Sequence, residues 1–223
     1  MNREAYLSLS KYEERHWWFV SRRMIIGKVL SRFFSDRKLG SILEVGCGSG
    51  GNLELLSSFG KTYAMEKDDG CVEIASRRNI CTIRKGSLPD DIPFTDKFDL
   101  ICMLDVLEHV DDDISSLKAV SERMTGDGKV FITVPAYNFL WSGHDVALEH
   151  KGRYTRKRLF DVLAKAGMRP VYSTYFNTIL MPLVLMVRTY NNLMKKKDTD
   201  DNRISSEFTN SVLRMIFSSE RFL

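Results

Sequence analysis

A glycine-rich turn between two apolar segments limits what this chain can fold into. Residues 41–52 read Ser-Ile-Leu-Glu-Val-Gly-Cys-Gly-Ser-Gly-Gly-Asn, and a second apolar segment begins at Leu53. A short apolar run that ends in closely spaced glycines predicts a strand, a tight turn and a helix. Glycine lets the backbone adopt positive φ and approach a ligand closely, and the helix offers unpaired N–H groups at its start. The stretch therefore predicts a nucleotide-binding turn.

The spacing of the glycines fits two classes of ligand. Gly46 and Gly48 belong to both patterns. Gly51 completes the spacing of dinucleotide-binding turns, whereas Gly50 completes the tighter spacing of enzymes that use S-adenosylmethionine (SAM). Glu44 favours SAM, because a carboxylate beside the turn would repel a pyrophosphate but attract the cationic ammonium and sulfonium groups.

An acidic residue closes the next apolar run. Residues 62–65 read Thr-Tyr-Ala-Met, and Glu66 follows them, about twenty residues after Gly46. A carboxylate at this distance is suited to accept hydrogen bonds from both ribose hydroxyls of a bound nucleoside. The alternative is a surface carboxylate that ends a strand.

From residue 41 onward, short apolar runs alternate with amphipathic segments, which predicts βαβ units and a parallel sheet. We expect strands at 42–45, 62–66, 80–83, 98–104 and 129–134, and helices at 53–59, 71–78, 114–124 and 156–166. Gly60 and Gly126 are expected where helices end, and Thr155 and Gly167 are expected to cap the last of these helices. Residues 168–176 are expected to form a sixth strand.

The region from 41 to 175 resembles the class I SAM-dependent methyltransferases. The resemblance rests on residues 43–50, 98–100, 106–110 and 126–130. It implies an α/β, Rossmann-like fold in which a mainly parallel sheet is flanked by helices, with SAM as cofactor and S-adenosylhomocysteine as product. Residues 135–154, with Trp-Ser-x-His-Asp and a later His-x-x-Arg-Tyr, resemble a subgroup of bacterial and archaeal methyltransferases related to types 11 and 12.

The residues expected to bind the cofactor lie at the predicted strand ends, except for one in the amino-terminal segment: Arg22, Glu44, Gly46, Cys47, Gly48, Gly50, Asn52, Glu66, Lys67, Ser87, Leu88, Leu104 and Asp105. By resemblance, Arg22 would meet the methionine carboxylate; the alternative is an arginine that faces water. Relatives carry an acid where this chain has Ser87, so adenine recognition is expected from the serine hydroxyl or from the backbone around Leu88.

The long segment 135–154 follows the fifth predicted strand at its ligand-facing end and is expected to carry catalytic groups. A hydroxyl acceptor must lose its proton, and histidine oriented by an acid suits that task near neutral pH. We expect His144 to be the base and Asp145 its orienter, with His109 and His150 as rival bases. The alternative is that the polar residues of this segment only tie the loop to the sheet.

A metal site is a further hypothesis. Asp105, Glu108 and His109 share one side of a helix if a helix begins there. A similar segment, helped by a later histidine, holds a divalent metal such as Mg2+ in ubiquinone-pathway O-methyltransferases and in small-RNA 2′-O-methyltransferases. The alternative is an enzyme that needs no metal, in which the acid caps a helix and the histidine packs.

The two ends of the chain predict helical extensions. Residues 1–40 and 177–223 are expected to form a helical lid around the SAM-binding domain at 41–176, with Trp17 and Trp18 packing the amino-terminal segment onto the sheet. Residues 179–187 are apolar and Lys-Lys-Lys follows at 195–197, which is typical of a peripheral contact with an anionic membrane or of the wall of an apolar pocket. A core helix or hairpin strand is equally expected. Relatives close their sheet with a seventh, antiparallel strand; we expect either that residues 183–187 supply it or that this chain ends short of it.

Composition sets the remaining limits. The chain has 223 residues, a formal net charge of +4 and four cysteines without CxxC spacing. With no signal peptide visible, reduced cysteines predict a cytoplasmic protein. No nucleic-acid-binding module is recognisable. We expect a methyltransferase that acts on a small-molecule or lipid-linked acceptor, at a hydroxyl. The alternatives are a non-catalytic SAM-binding protein and an NAD-dependent oxidoreductase; the sequence does not predict the oligomeric state.

Overall fold

The computed structural model describes residues 12–35, 38–186 and 206–222, and the chain divides into two compact units. The first unit takes in Met1–Asp36, Ser142–Leu148 and Thr174–Leu223. The second takes in Arg37–Trp141 and Glu149–Ser173. The predicted division into residues 1–40, 41–176 and 177–223 stays a prediction.

The second unit is built on a parallel sheet. Its five strands are β1 (Leu39–Val45), β2 (Gly60–Glu66), β3 (Thr82–Lys85), β4 (Phe98–Leu104) and β5 (Met124–Thr133), in the order β3-β2-β1-β4-β5. The order reverses between β1 and β4, which is where sheets of this class bind ligands, at the carboxyl ends of the strands. The prediction of a parallel α/β sheet is confirmed.

The helices connect and flank these strands. They are α1 (Trp17–Phe34), α2 (Leu53–Ser57), α3 (Asp69–Ser76), α4 (Asp113–Ser121), α5 (Gly143–Ala147), α6 (Arg156–Lys165) and α7 (Glu207–Ser219), and residues 181–186 are also helical. Thr155 caps α6 by accepting a hydrogen bond from the backbone N–H of Arg158. Gly167 follows the helix with φ of 79°, so both predicted caps of α6 are confirmed.

Two local predictions were wrong. Residues 168–176 form no strand: the backbone N–H of Met168 bonds to the carbonyl of Leu163 and ends the turn of α6. Pro170 then lacks the N–H that a sheet ladder needs. Gly126 lies inside β5 rather than after a helix. Among the described residues the sheet has only parallel pairs, and residues 183–186 of the candidate seventh strand are helical, while residue 187 lies outside the described residues.

Both faces of the sheet are covered by apolar side chains. Ala64 and Met65 are neighbours on β2 and belong to different buried clusters, as expected when successive side chains point to opposite faces. The larger cluster joins β1 and β4 to α4 and α6 and includes Phe94 and Phe98. Because both faces are buried, the ligand-binding surface is left to the strand ends.

The first unit is held together by aromatic packing. Phe217 of α7 is fully buried, and its ring stacks on Trp18 with a centroid distance of 4.9 Å. Trp17 meets the same ring edge-on at 5.8 Å, and Phe176 stacks on it at 6.2 Å. The backbone N–H of Trp17 also donates to Oδ1 of Asn210 at 2.8 Å. The tryptophan pair is packed, but the predicted partner was wrong: the rings lie against the carboxyl-terminal helix, whereas the sequence predicted packing onto the sheet.

The described part of the chain contains no helix that combines the length and the apolar character needed to cross a bilayer. All four cysteines are free thiols, as the sequence predicted.

We predict that Phe217→Ala destabilises the first unit by about 3–5 kcal/mol, because it removes the ring on which three other aromatic side chains pack. Phe208→Ala is the matched control on the same helix, since Phe208 is 79% exposed. The control should change the unfolding free energy by no more than about 0.5 kcal/mol. Urea unfolding followed by tryptophan fluorescence measures both. Equal midpoints for the two variants would contradict the packing role of Phe217.

Candidate active site

The glycine turn after β1 is fixed to the neighbouring strand. The backbone N–H groups of Gly46 and Cys47 both donate to the carbonyl of Met65, at 2.8 and 3.1 Å. The N–H of Gly50 then donates to the carbonyl of Cys47 at 2.9 Å. The turn is therefore a rigid loop that connects β1 to α2 beside the end of β2.

Two of the glycines are needed for different reasons. Gly46 has φ of 68°, and a Cβ there would lie 2.7 Å from Cγ2 of Val106, so only glycine fits. Gly48 has φ of 54°, but a Cβ there would meet nothing within 4 Å. Gly48 thus borders open space at the strand ends, where a ligand is able to approach the backbone closely. The predicted strand, glycine turn and helix are present, and the role of the turn as a nucleotide cradle stays a prediction.

Glu66 holds this cradle with its side chain. Oε2 accepts a hydrogen bond from the N–H of Gly48 at 2.9 Å. Oε1 accepts from the N–H groups of Lys67 and Asp68, at 2.8 and 3.1 Å. A carboxylate offers about four acceptor directions, so one direction on Oε2 is left for a hydroxyl. Glu66 therefore orders the turn, and its predicted role toward the ribose would engage this last direction.

Glu44 places a buried negative charge beside the turn. It is 1% exposed, and its Oε1 accepts a hydrogen bond from Nδ2 of Asn52 at 3.0 Å. Burial, followed by the charge of Glu44, raises the pKa of Cys47 and Cys102 well above the ordinary value and that of Cys81 to about 11. These cysteines therefore stay protonated, and the local field favours a cationic ligand.

The end of β4 is tied to the end of β5. The N–H of Asp105 lies 3.1 Å from both the carbonyl oxygen and Oγ1 of Thr133. The Thr133 hydroxyl donates in return to Oδ1 of Asp105 at 2.8 Å. These bonds hold Asp105 at φ of 59°, an unfavourable conformation for a residue other than glycine. Buried Leu104 precedes it, so the strand end exposes Asp105 rather than an apolar side chain.

The loop after β3 brings Ser87 and Leu88 to the same edge of the sheet. Ser87 and Asp91 exchange backbone hydrogen bonds of 2.8 and 2.9 Å, which close the loop. Ser87 is exposed, whereas Leu88 packs against the larger apolar cluster. The serine hydroxyl is therefore accessible, and its role toward adenine stays a prediction.

Two predicted catalytic histidines lie together. His109 belongs to the 3-10 turn Leu107–His109, and its ring lies 4.8 Å from the ring of His150, centroid to centroid. Glu108, 1% exposed, completes the group. One nitrogen or oxygen atom from each of the three side chains falls within 4.8 Å of the others. Residues distant in sequence thus form one cluster at the end of β4.

Hydrogen bonds fix the two segments that carry this cluster. The N–H of Lys151 donates to the carbonyl of Glu108 at 2.7 Å, and Nζ of Lys151 pairs with Oδ1 of Asp111 at 3.0 Å. The Tyr154 hydroxyl lies 3.1 Å from Oδ2 of Asp113 and 3.3 Å from the carbonyl oxygen of Leu107. Each contact joins the segment after β4 to the segment before α6.

His109 is neutral at physiological pH. Burial, followed by the charges of His150 and Lys67, lowers its pKa to about 4, while Asp105 and Glu149 act in the opposite direction. Lys67 and Asp105, two residues expected to bind the cofactor, are thus among the charged groups that affect the pKa of His109. The histidine cluster and the cofactor edge are therefore neighbours.

Three predicted site residues belong to the first unit. Arg22 is a buried residue of α1, and His144 and Asp145 lie on α5. Oδ2 of Asp145 accepts hydrogen bonds from the N–H and the Oγ of Ser142, at 2.9 and 3.3 Å. Asp145 is fully buried and thus stabilises the start of α5. Its role as orienter of His144 stays a prediction, as does the role of Arg22.

Some polar residues of segment 135–154 hold the loop in place through hydrogen bonds, which agrees with the alternative that these residues attach the loop to the sheet. Nη1 of Arg153 donates to the carbonyl of Ala136 at 3.0 Å, and the N–H of Tyr154 donates to the carbonyl of Pro135 at 2.9 Å. Thr133 and Lys151 were missed as positioning residues. Thr133 could have been found from the sequence, because it is a polar residue at the end of an apolar strand. No local pattern indicates Lys151, because its partner is far away in sequence.

Comparisons with known proteins agree with this geometry. The family model for a methyltransferase domain matches residues 16–173. No curated protein matches the sequence. Among solved structures, a Haloferax volcanii putative methyltransferase complex with the Trm112 activator has a TM-score of 0.62 at 16% identity, with 78% of each chain covered.

Two further solved structures share the fold. Bacillus subtilis YcgJ has a TM-score of 0.58 at 14% identity, covering 78% of this chain and 83% of that one. Synechocystis magnesium protoporphyrin IX methyltransferase, with bound S-adenosylhomocysteine, has a TM-score of 0.52 at 15% identity, covering 67% and 74%. With the family match over residues 16–173, the chain belongs to the methyltransferase domain family, within the class I SAM-dependent superfamily.

Proposed function

We propose that this methyltransferase transfers the methyl group of SAM to a hydroxyl on a small-molecule or lipid-linked acceptor. The observation that carries the proposal is the open cradle at Gly48, bordered by the buried carboxylates Glu44 and Glu66 and next to a histidine cluster. The cradle suits a cationic nucleoside. The histidines supply the proton acceptor that a hydroxyl nucleophile needs.

The residues divide the work of the reaction. SAM supplies an activated methyl group when bound, and transfer forms an O–C bond as the S–C bond breaks. Glu44 provides negative potential beside the turn, and Glu66 fixes both the turn and the ribose. The protein chiefly aligns the acceptor oxygen with the methyl carbon. A histidine accepts the proton that the hydroxyl releases.

We assign the base to His144, with His109 and His150 as rivals. His144 lies on α5, whose start is held by the buried carboxylate of Asp145. It belongs to residues 135–154, the segment in which the sequence analysis expects the catalytic groups.

Buried Glu44 distinguishes this proposal from one alternative, and the histidines distinguish it from the other. A carboxylate 1% exposed beside the glycine turn disfavours the pyrophosphate of NAD, which argues against an oxidoreductase. A non-catalytic SAM-binding protein would need the cradle but not the histidines. Separate tests of the cradle and of the histidines therefore distinguish the three functions.

We predict that Gly48→Ala lowers the affinity for S-adenosylhomocysteine by about tenfold or more, or roughly 1.4 kcal/mol. The added methyl group would project into the open space of the cradle. Gly167→Ala is the matched control, because Gly167 also has positive φ and an added Cβ there would also meet nothing within 4 Å. Gly167 differs from Gly48 in its position, since it follows the end of α6. Both variants should lose about 1–2 kcal/mol of stability. Isothermal titration measures affinity, and thermal unfolding measures stability.

Equal affinities for the two glycine variants would place the nucleoside elsewhere. Binding of NADH without binding of S-adenosylhomocysteine by the unaltered chain would favour the oxidoreductase.

We predict that His144→Ala leaves the affinity for S-adenosylhomocysteine unchanged and lowers methyl transfer by on the order of 100-fold or more, because the acceptor hydroxyl loses its proton acceptor. The assay follows the labelled methyl group of SAM into the lipid and aqueous fractions of a cell extract. His109→Ala and His150→Ala are measured in parallel. If His144→Ala transfers the methyl group normally while His109→Ala or His150→Ala does not, the base is one of those two histidines instead. If the unaltered chain transfers no methyl group, a non-catalytic function is favoured.

A lipid-linked acceptor is supported by two exposed apolar stripes on the first unit. Ile179, Leu183 and Met186 form one, at helical spacing, and Phe208, Met215 and Phe222 form the other, seven residues apart. The N–H of Ile179 donates to Oε1 of Glu220 at 2.7 Å, which joins the two segments. The sequence between the stripes contains Lys-Lys-Lys at 195–197, outside the described residues. Apolar stripes with basic residues favour an anionic membrane surface.

We predict that the chain sediments with phosphatidylcholine vesicles containing phosphatidylglycerol more than with phosphatidylcholine alone. Phe208→Ser combined with Met215→Ser should reduce the bound fraction several-fold, because each change removes apolar area from the stripe. Val171→Ser is the control, since Val171 is 72% exposed but belongs to the second unit. Equal sedimentation of both variants would contradict membrane contact through α7.

A further inference from the structure

We propose that Tyr137 and Phe139 form an aromatic platform on which the methyl acceptor stacks, and that the acceptor carries its hydroxyl on an aromatic ring. The two rings stack on each other, with a centroid distance of 5.3 Å and an interplanar angle of 29°. Neither residue belongs to the proposed cofactor or proton-accepting groups. The inference rests on the proposed function and narrows its acceptor to phenolic compounds.

The ring of Phe139 is supported by its neighbour and open to solvent. Phe139 is 68% exposed, whereas Tyr137 is partly buried. A single exposed apolar side chain is common on protein surfaces, but here the exposed ring extends an existing stack. Aromatic rings favour stacked or edge-to-face contact with other rings. The pair therefore offers a surface on which a further flat ring is able to continue the stack.

The platform lies at the edge of the sheet where ligands bind. Tyr137 follows Thr133, the last residue of β5, by four positions. In the order β3-β2-β1-β4-β5, the glycine cradle belongs to β1 and β2, and the histidine cluster to the end of β4. The strand order thus puts the histidine-bearing strand between the cradle and the platform. A ring on the platform is one strand away from two of the three candidate bases.

One segment holds both the platform and the histidine cluster. The N–H of Tyr137 donates to the carbonyl of Tyr154 at 3.1 Å, and the N–H of Tyr154 donates to the carbonyl of Pro135 at 2.9 Å. The hydroxyl of Tyr154 lies 3.3 Å from the carbonyl oxygen of Leu107 in the turn that carries His109. The platform is therefore ordered before a ligand arrives, and the loss of conformational freedom on binding is small.

The backbone at Tyr137 is strained. Its φ of 59° and ψ of 115° are rare for a residue other than glycine. The carbonyl of Tyr137 accepts the N–H of Leu140 at 3.1 Å, which begins the 3-10 turn Asn138–Leu140 that carries Phe139. Strain of this kind persists where the surroundings enforce it, and it is concentrated at ligand-binding sites. The conformation that brings the two rings together is thus maintained against a cost.

The chemistry of the proposed reaction also favours a phenol. A phenolic hydroxyl has a pKa of about 10, against about 16 for bulk water, which an aliphatic hydroxyl resembles. Histidine is a moderate base, and general-base catalysis is more effective when the proton transfer is less uphill. An aromatic platform beside histidine bases therefore suits an acceptor whose ring both stacks and acidifies its hydroxyl.

Isothermal titration of the full chain, saturated with S-adenosylhomocysteine, with 2-naphthol and with decahydro-2-naphthol tests the platform. The two probes share a carbon skeleton and a hydroxyl, but only 2-naphthol is flat and aromatic. We expect saturable binding of 2-naphthol, about threefold or more tighter than that of the saturated probe. Phe139→Leu should lower this preference by about three- to tenfold, because leucine keeps apolar area but cannot stack. Phe139→Trp should retain it.

Tyr172→Leu is the matched control, because Tyr172 is an aromatic residue of the same unit, 40% exposed, and follows the end of α6. It should leave the preference unchanged. Retained affinity for S-adenosylhomocysteine shows that Phe139→Leu is folded. Lack of saturable 2-naphthol binding, equal binding of the two probes or an unchanged preference in Phe139→Leu would each overturn the platform.

Two further outcomes separate this proposal from the others. If Phe139→Leu loses binding to vesicles but keeps its preference for 2-naphthol, the ring contacts a membrane and the platform is rejected. If the unaltered chain does not bind S-adenosylhomocysteine, the proposed function fails. The probe titrations, repeated without S-adenosylhomocysteine, then still decide whether Phe139 binds aromatic rings.

Discussion

The carboxylate of Glu66 is the interaction on which the cofactor edge depends. It accepts hydrogen bonds from three backbone N–H groups, one in the glycine turn after β1 and two at the start of the loop after β2. Hydrogen bonds to an ionised acceptor are stronger than those between neutral groups. Without them, the N–H of Gly48 and those of Lys67 and Asp68 would each need another partner. The residue that the sequence marks for ribose binding therefore also defines the shape of the cradle.

The remaining polar groups are placed by the strands themselves. Glu44, Glu66 and Asp105 lie at the carboxyl ends of β1, β2 and β4, and parallel strands bring such ends to one edge. Asp105 is kept there by Thr133 at the end of β5, against an unfavourable backbone conformation. The sheet thus supplies position, and short hydrogen bonds between neighbouring strand ends supply orientation.

What the sequence predicted correctly depends on local physics. The glycine turn and the caps of α6 involve neighbouring residues only, so their patterns are readable from the sequence alone. Residues 168–176 were misassigned because partial alternation suggested a strand, whereas Pro170 cannot join a ladder. The meeting of His109 with His150 depends on the bond from Lys151 to the Glu108 carbonyl. Contacts between residues so distant in sequence follow from the tertiary fold, and no local pattern encodes them.

The overall charge of the chain hides the character of its site. A net charge of +4 suggests an anionic partner, yet Glu44, Glu66 and Glu108 are all buried carboxylates near the strand ends. Burial strengthens the field of each charge because little water screens it. The groups that would fit such an edge are cations, such as the sulfonium of SAM that we propose for the cradle. Any attraction to an anionic surface must arise elsewhere, from basic residues outside the sheet.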